Sequence, residues 1–244
     1  MKPTFSIIIP ALNEEILLPR LLRSLKKQSF KEFEVIVVDA NSKDKTVHQA
    51  TKFKNDLDIN IISINHRNVA YSRNAGAKRA KGEYLVFIDA DNSLYPNFLE
   101  NLNRILLKTR YAVVIPSIEP EKKTFMYGFI FLLINLTVSV TNVFGLTSTT
   151  GGNIVVLKKV FEKLGGFDPS IFVSEDQDLV KRVHASGLSV KYMRSLVVIF
   201  SVRRFEKEGP LLIFKYLISA IYTSIFGKIT RRIYSYPMGG GHYE

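Results

Sequence analysis

Residues 82–93 read GEYLVFIDADNS: an apolar and aromatic run, Tyr84 to Ile88, ends on two aspartates, Asp89 and Asp91, with one alanine between them. The run has the length and composition of a strand buried on both faces. Side chains two apart on an extended chain point the same way, so both carboxylates address one point. At about 4 Å and an effective dielectric near 20, such a pair repels by about 4 kcal/mol. A compensating cation is therefore expected beside them, and carboxylates that share an ion with substrate phosphates suit Mg2+ or Mn2+. A turn in which Asp89 caps a helix and Asp91 is solvated is the plainer alternative. The D-x-D spacing alone favours that turn, and its place after a buried strand reverses the preference.

The same motif of apolar strand followed by polar residues recurs on either side. FSIII (Phe5–Ile9) reads as a buried strand ended by Pro10. Asn13 is placed to cap a helix from Glu14 with Leu18, Leu21, Leu22 and Leu25 on one face, and Pro19 predicts a kink or a late start. EVIVV (Glu34–Val38) is a second strand, followed by Asp39, and NSKDKT (Asn41–Thr46) is turn and cap chemistry before another helix. INIISI (Ile59–Ile64) is a third strand, with a helix over about 69–80 after it. A helix after Pro96 and the strand YAVVI (Tyr111–Ile115) follow the aspartates. This alternation predicts an α/β fold with a mostly parallel sheet and helices on both faces. In such a sheet ligands bind outside the carboxyl ends of the strands. Three strands deliver polar residues there: Asn13 and Glu14, Asp39, and the Asp89–Asp91 pair.

A second acidic cluster lies in VSEDQDLVKRVHASG (Val173–Gly187), where Glu175, Asp176 and Asp178 crowd the start of a short helix. The helix dipole accounts for one or two acids there. It does not require three, directly after the Gly-rich and aromatic segment GGFDPSIFV. Among the cations, Lys78 and Lys81 read as a solvated face, whereas Arg73 with Asn74, at the start of the third helix, is placed to reach a ligand. Arg203 and Arg204 either hold a diphosphate through charge-assisted bonds or meet lipid headgroups. The four histidines show no metal-ligand spacing.

The chain has 244 residues, 46% of them hydrophobic, which excludes wholesale disorder. It has no cysteine, which excludes disulfides, thiolate catalysis and cysteine-ligated zinc. The net charge is +12, and from Lys181 onward eleven Lys/Arg face three Glu, so +8 lies in the last quarter. These cations alternate with aliphatic runs, which suits an anionic membrane surface and not nucleic acid. Phe125 to Leu146 is 22 residues without a charge, about 33 Å as a helix, against a hydrocarbon core of about 30 Å. Asn135, Ser139 and Asn142 at i, i+4 and i+7 favour a helix lying in the interface or packed on the protein over one surrounded by lipid. A second apolar segment, 211–226, is followed by Lys228, Arg231 and Arg232, which suggests anchoring on the cytoplasmic side. No leader is visible, so the catalytic part is expected in the cytoplasm, associated with a membrane. The expected organisation is a catalytic domain over 1–208 with a hydrophobic helix at about 125–146, a membrane-associated segment over 209–236, and a tail over 237–244.

Five blocks, SIIIPALNEE, VIVVDANSKDKT, SRNAGAKRAKGEYLVFIDADN, TGGNIVVLKKVFEKLGGFD and SEDQDLVKR, stand in an order that resembles glycosyltransferase family 2. The resemblance spans roughly residues 5–209 and points to members related to dolichol-phosphate-sugar synthases and cellulose-synthase-like enzymes. It implies an inverting enzyme with a GT-A, Rossmann-like fold that uses a nucleotide-diphosphate sugar. It also implies roles by position. Pro10, Ala11, Asn13 and Glu14 would line the nucleotide pocket, Asp39 would contact the base or ribose, and Arg73 would lie near the nucleotide. Asp89 and Asp91 would hold Mn2+ or Mg2+, Asp91 the more firmly, Asp176 would be the catalytic base, and Gly151 and Gly152 would border the acceptor site. Ala40 and Asn92 stand where family members often carry acids, and Ala40 leaves the nucleobase open. SVRRF replaces the Gln-x-x-Arg-Trp of processive synthases, which argues for a single transfer. The expected function is transfer of one hexose from GDP-mannose, slightly preferred on the resemblance, or from a UDP-hexose to a lipid-linked acceptor at the cytoplasmic membrane face. Polyprenyl- or dolichyl-phosphate sugar synthesis is the enzymatic alternative, and a non-catalytic, membrane-docking nucleotide-sugar scaffold is the alternative of another class. Nucleotidyl transfer is disfavoured because ALNEE is acidic and lacks the glycines of a phosphate loop.

Overall fold

The computed structural model describes residues 2–171, 174–209, 218 and 222. The expected membrane segment over 209–236 and the tail over 237–244 lie outside these, apart from residues 209, 218 and 222. In chain order the elements are β1 (Phe5–Ala11), α1 (Leu18–Lys26), β2 (Phe33–Asp39), α2 (Thr46–Thr51), β3 (Ile59–Ser63), α3 (Val69–Arg79), β4 (Tyr84–Phe87), β5 (Ser93–Leu94), α4 (Phe98–Lys108), β6 (Val113–Pro120), α5 (Phe125–Val143), β7 (Ile154–Leu157), α6 (Lys158–Lys163), α7 (Glu175–Ala185), β8 (Val190–Phe200) and α8 (Arg203–Glu208).

The eight strands form one sheet in the order β3-β2-β1-β4-β7-β6-β8-β5. The half built from β3, β2, β1 and β4 is parallel throughout. Beyond β4 the sheet becomes mixed: β7 runs antiparallel to β4 and β6, β8 is parallel to β6, and β5 closes the edge antiparallel to β8. The α/β architecture agrees with the alternation in the sequence, and the antiparallel strands are a finer feature which that alternation does not encode.

Alternate residues of each central strand enter opposite cores, as a period of two dictates. Ile7, Ile9, Val35, Val37 and Val86 pack with Leu18, Leu21, Leu22 and Leu25 of α1 and Leu99 and Leu102 of α4. Ile8, Ile36, Val38, Leu85 and Phe87 pack on the other face with Ala70 and Ala77 of α3 and Leu179, Val180 and Val183 of α7. The small residues of α3 bring it close to the sheet: a Cβ at Gly76 would stand 2.5 Å from Ile8 Cγ2.

Two local expectations are corrected. Pro10 does not end β1, which continues to Ala11 with Pro10 paired in register to Val38. Asn13 caps no helix; it takes a left-handed backbone, φ 53°, and α1 starts late, at Leu18, with proline in its first turn. That is where proline's missing N–H costs nothing.

α5 resolves the meaning of its polar stripe. Asn135 Nδ2 donates to the Ile118 carbonyl at 2.7 Å, and its Oδ1 accepts from Ile118 N at 3.1 Å and from the Tyr192 hydroxyl at 2.9 Å. Asn142 Nδ2 donates to the Ser148 carbonyl at 2.8 Å. These polar side chains pin the helix to β6 and to the loop beyond α5. Tyr127, Ile130, Phe131 and Val138 are buried, whereas Phe125, Phe129, Leu132, Leu136, Val140 and Val143 form an exposed stripe at helical spacing. By length and composition α5 is long and apolar enough to cross a membrane.

Candidate active site

The carboxyl ends of β1, β2 and β4 meet the starts of α7 and α8 around one cavity. Its walls include Pro10, Ala11, Glu14, Arg73, Asp89, Asp91, Gly151, Gly152, Asp176, Arg203 and Arg204. Of the residues given nucleotide, metal, acceptor or catalytic roles by the resemblance, Asn13 and Asp39 do not line it; they stand next to Leu12 and Ala40, which do.

The β1 and β2 ends are laced together. Asn13 Oδ1 accepts from Lys43 N at 2.8 Å, Asn13 N donates to Ser42 Oγ at 2.9 Å, and Glu14 N donates to Thr46 Oγ1 at 2.7 Å. Asp39 is buried; its Oδ2 accepts from Ser42 N at 3.2 Å, and among the described residues its Oδ1 finds no partner. A buried carboxylate oxygen with no donor is costly, and a ligand N–H or O–H would relieve it.

Arg73 is buried and bridges two acids. Its Nη2 donates to Asp89 Oδ1 at 2.7 Å, and its Nη1 meets Glu175 Oε1. Burial disfavours the guanidinium charge, but the charges of Asp89, Glu175 and Asp176 outweigh that and hold it protonated well above its usual range. Gly152 makes room for this bridge. Its φ is +81°, and a Cβ there would run into the Arg73 guanidinium and come within 3.2 Å of Asp89 Oδ2. Asn74 does not line the cavity. It latches the loop before α7, donating to the Phe167 carbonyl at 2.7 Å and accepting from Phe167 N at 3.0 Å.

Arg203 makes the second bridge. Its Nη1 and Nη2 each donate to a Glu14 oxygen at 3.1 Å, and Nη2 also reaches Asp91 Oδ2 at 3.1 Å. Arg20, which sequence reasoning missed, donates to the Asp91 carbonyl and to Glu121. The Asp91 carboxyl is pushed up, first by burial and then by the charge of Asp89, despite Arg203, Arg204 and Arg20. Burial and the neighbouring Asp89 both disfavour the carboxylate charge, and a divalent cation added beside these two hard oxygen donors would offset them, so the pair fits Mg2+ or Mn2+. Among the described residues there is no set of three or more His, Cys, Asp or Glu able to hold a metal ion. Such an ion would complete its coordination with water or with oxygens of a bound molecule.

The three acids of α7 separate by role. Asp178 pairs with Arg182 within the helix, 2.8 Å away, and is structural. Glu175 belongs to Arg73. Asp176 Oδ2 accepts from Thr149 Oγ1 at 2.5 Å and from Gly152 N at 2.7 Å, while Oδ1 accepts from Gln177 N at 2.9 Å. Thr149 was also missed; its neighbours Gly151 and Gly152 drew attention, and a hydroxyl two residues before them carried no signal of its own. Asn92, noted only as a departure from the family pattern, donates through Nδ2 to Asn153 Oδ1 at 2.9 Å and accepts at Oδ1 from Ser201 N at 3.4 Å, tying the D-x-D turn to the residue before β7 and to the turn before α8.

Glu14 makes the site sensitive to pH. Its carboxyl is pushed from 4.5 to about 7, chiefly by burial. The hydrogen bonds and charge of Arg203 pull it down and the charge of Asp91 up, so pairing does not offset burial. Glu175 is likewise pushed up to about 7 by burial. A carboxyl protonated more readily when folded stabilises the fold fully below pH 4.5. That contribution is lost as pH rises through about 7. Urea denaturation of the donor-free protein at pH 5 and pH 8 is expected to show a lower midpoint at the higher pH, with a smaller difference in Glu14→Gln. A midpoint that rises across this window in both proteins would contradict the burial of these carboxyls.

Residues 6–165 match the family model described as Glycosyl transferase family 2. The chain belongs to glycosyltransferase family 2. This family 2 chain is 30% identical over 198 residues to an uncharacterized glycosyltransferase of Haemophilus influenzae, covering 73% of the chain and 61% of that protein. It is 37% identical over 101 residues to the poly(ribitol-phosphate) beta-N-acetylglucosaminyltransferase TarS of Staphylococcus aureus, covering 40% of the chain and 18% of TarS. The chain thus spans less than two thirds of the curated relatives it matches. Among solved structures, TarS 1-349 in complex with UDP-GlcNAc superposes with a TM-score of 0.65 at 19% identity, over 81% of the chain and 58% of that one. The mannosyltransferase PcManGT of Pyrobaculum calidifontis, in complex with GDP-Man and Mn2+, superposes at 0.69 and 20% identity, over 90% of the chain and 65% of that one. These likenesses establish the fold of the family 2 chain as GT-A-like.

Proposed function

We propose that the chain is a metal-dependent inverting glycosyltransferase that moves one hexose from a nucleotide-diphosphate sugar to a lipid-linked acceptor at a membrane surface. The observation that carries this reading is the convergence on one cavity of Asp89 and Asp91 from one end of β4 with Asp176 from α7. The first pair suits a cation and a diphosphate; the third acid has the two donors, Thr149 and Gly152, that fix a base in place. Both TarS and PcManGT were solved with nucleotide sugars, and the latter with Mn2+. Both supply precedents for the donor, and PcManGT for the ion.

In this reading Asp89 and Asp91 hold Mn2+ or Mg2+, which when bound neutralises charge developing on the departing diphosphate. Arg203 and Arg204 stand on the same side and bind diphosphate oxygens. Pro10, Ala11 and Glu14 line the nucleotide side, with Asn13 and Asp39 next to it. Asp39 Oδ1, to which the described residues supply no donor, would accept from a nucleobase or ribose group that reaches past the wall. Arg73 holds Asp89 and Glu175 in register and does not itself need to touch the donor. Asp176 takes the proton of an acceptor hydroxyl that attacks the anomeric carbon from the face opposite the diphosphate. An acceptor phosphate would already be ionised and would not need that proton removed. The buried, hydrogen-bonded carboxylate therefore favours a hydroxyl acceptor over polyprenyl-phosphate sugar synthesis. The exposed apolar stripe of α5 supports membrane association, since a contiguous apolar surface of this kind marks an interaction site.

The test is a panel of radiolabelled GDP- and UDP-hexoses incubated with the protein and a membrane lipid extract. One labelled lipid product from one donor is expected; neither transfer nor donor hydrolysis across the panel would reject the enzyme in favour of a non-catalytic scaffold. Excess chelator is expected to abolish the transfer, and added Mn2+ or Mg2+ to restore it. Full activity in chelator would remove Asp89 and Asp91 from the metal role.

A further inference from the structure

The cavity has two chemically different halves, and the reading above uses one of them. Besides the acidic and basic groups its wall has an apolar part: Ile118 of β6, Ile134 and Val138 of α5, Phe200 of β8 and Phe205 of α8. The Phe200 ring stands beside Gly151, where a Cβ would lie 3.6 Å from it, so the apolar wall begins next to the Gly151–Gly152 turn that hydrogen-bonds Asp176. Phe131 packs on both Phe200 and Phe205, with ring centroids 5.7 and 5.9 Å away, and holds these rings in position. α5 is thus two-sided. Ile134 and Val138 face the cavity, while Phe129, Leu132, Leu136 and Val140 of the same turns face outward.

We infer that this apolar half seats the aliphatic chain of the acceptor, with Ile134 and Val138 of α5 as the wall between the reaction centre and the membrane. The inference rests on the lipid-linked acceptor proposed above and names its binding site. A polar head placed against Asp176 and Gly152 has its chain directed along Phe200, Ile134 and Val138. An aliphatic chain leaving the cavity along α5 passes to the outer stripe of the same helix and is not returned to water. A nucleotide sugar has no apolar part that would use this wall. Arg203 and Arg204 border the wall through Phe205 and keep an anionic head at the polar end.

Two measurements on the full chain test the seat. In the first, the protein in phosphatidylglycerol vesicles is irradiated with a dodecyl β-D-glucoside that carries a terminal diazirine, and the labelled peptides are sequenced. Adducts at Ile134, Val138, Phe200 or Phe205 that excess unlabelled dodecyl glucoside removes are expected. Adducts confined to Phe129, Leu132 and Leu136, or none, would overturn the inference. In the second, alkyl glucosides from hexyl to dodecyl, each below its micelle concentration, compete with transfer to the lipid extract. Potency is expected to rise by up to about fourfold for each methylene seated. The double variant Ile134→Ala, Val138→Ala is expected to lose about tenfold of the dodecyl potency and to flatten the series. Equal chain-length dependence in wild type and variant would place the length effect in the bilayer and reject the seat while leaving the transferase reading intact. Absence of any transfer or hydrolysis would reject that reading, and the adduct map would still decide the seat by itself.

Discussion

Asp176→Asn is expected to lower transfer to a hydroxyl acceptor by about a hundredfold or more, the usual worth of a positioned general base. The substitution keeps the shape of the side chain, and the amide oxygen can still accept from Thr149 Oγ1 and Gly152 N, the two donors on Oδ2. What is lost is the capacity to take a proton. Initial rates with the labelled donor identified by the panel measure the effect. Donor affinity is expected to change much less, because the donor groups belong to β1, β4 and α8. A near-normal rate with a sugar-hydroxyl acceptor would remove Asp176 from the base role, and a near-normal rate with a lipid phosphate alone would identify the acceptor as the phosphate.

Arg73→Met is expected to have the largest effect on stability, about 3–5 kcal/mol. The Arg73 side chain is 3% exposed, and its partners Glu175 and Asp89 are 10% and 32% exposed. Methionine fills much of the volume but leaves two acids facing each other without their cation. Most of the cost falls on Glu175, the more buried partner, since Asp89 retains contact with solvent. For a chain of this size the melting temperature is expected to fall by roughly 6–20 °C. Differential scanning calorimetry checks it. An unchanged melting temperature would show that neither acid depends on Arg73 for its charge balance.

The strands and helices of the first half were legible because a parallel strand buried on both faces must be almost continuously apolar, and β1, β2 and β4 are. The D-x-D and E-D-x-D acids were legible because charges at the end of such strands, or crowded at a helix start, conflict with burial unless they serve a ligand or a partner. Their partners were less legible. Arg73 and Glu175 are 102 residues apart in the chain, and Glu14 and Arg203 are 189 apart, so no local pattern records either pairing. Asn74 and Arg73 read as a pair aimed at a ligand; Asn74 latches a loop away from the cavity, whereas Arg73 lines the cavity and bridges two acids there. Thr149, Asn92 and Arg20 act through one or two hydrogen bonds to distant segments, and a lone threonine, asparagine or arginine has no periodicity to betray it. The stripe of Asn135, Ser139 and Asn142 was visible as a stripe. Which way it faced depended on two backbone groups of Ile118 that only the sheet positions.

The attachment of Asn135 to both backbone groups of Ile118 has a mechanical consequence. A helix bolted to a central strand cannot tilt or slide without carrying the sheet along, so helix and catalytic cleft move as one piece. If the outer stripe floats at the lipid headgroup boundary, the cleft is held at a set height, about one helix diameter or 10–12 Å above the acyl layer. A substrate head must rise to that level to be reached. Spacer length between the hydrocarbon and the accepting group would then act as a ruler.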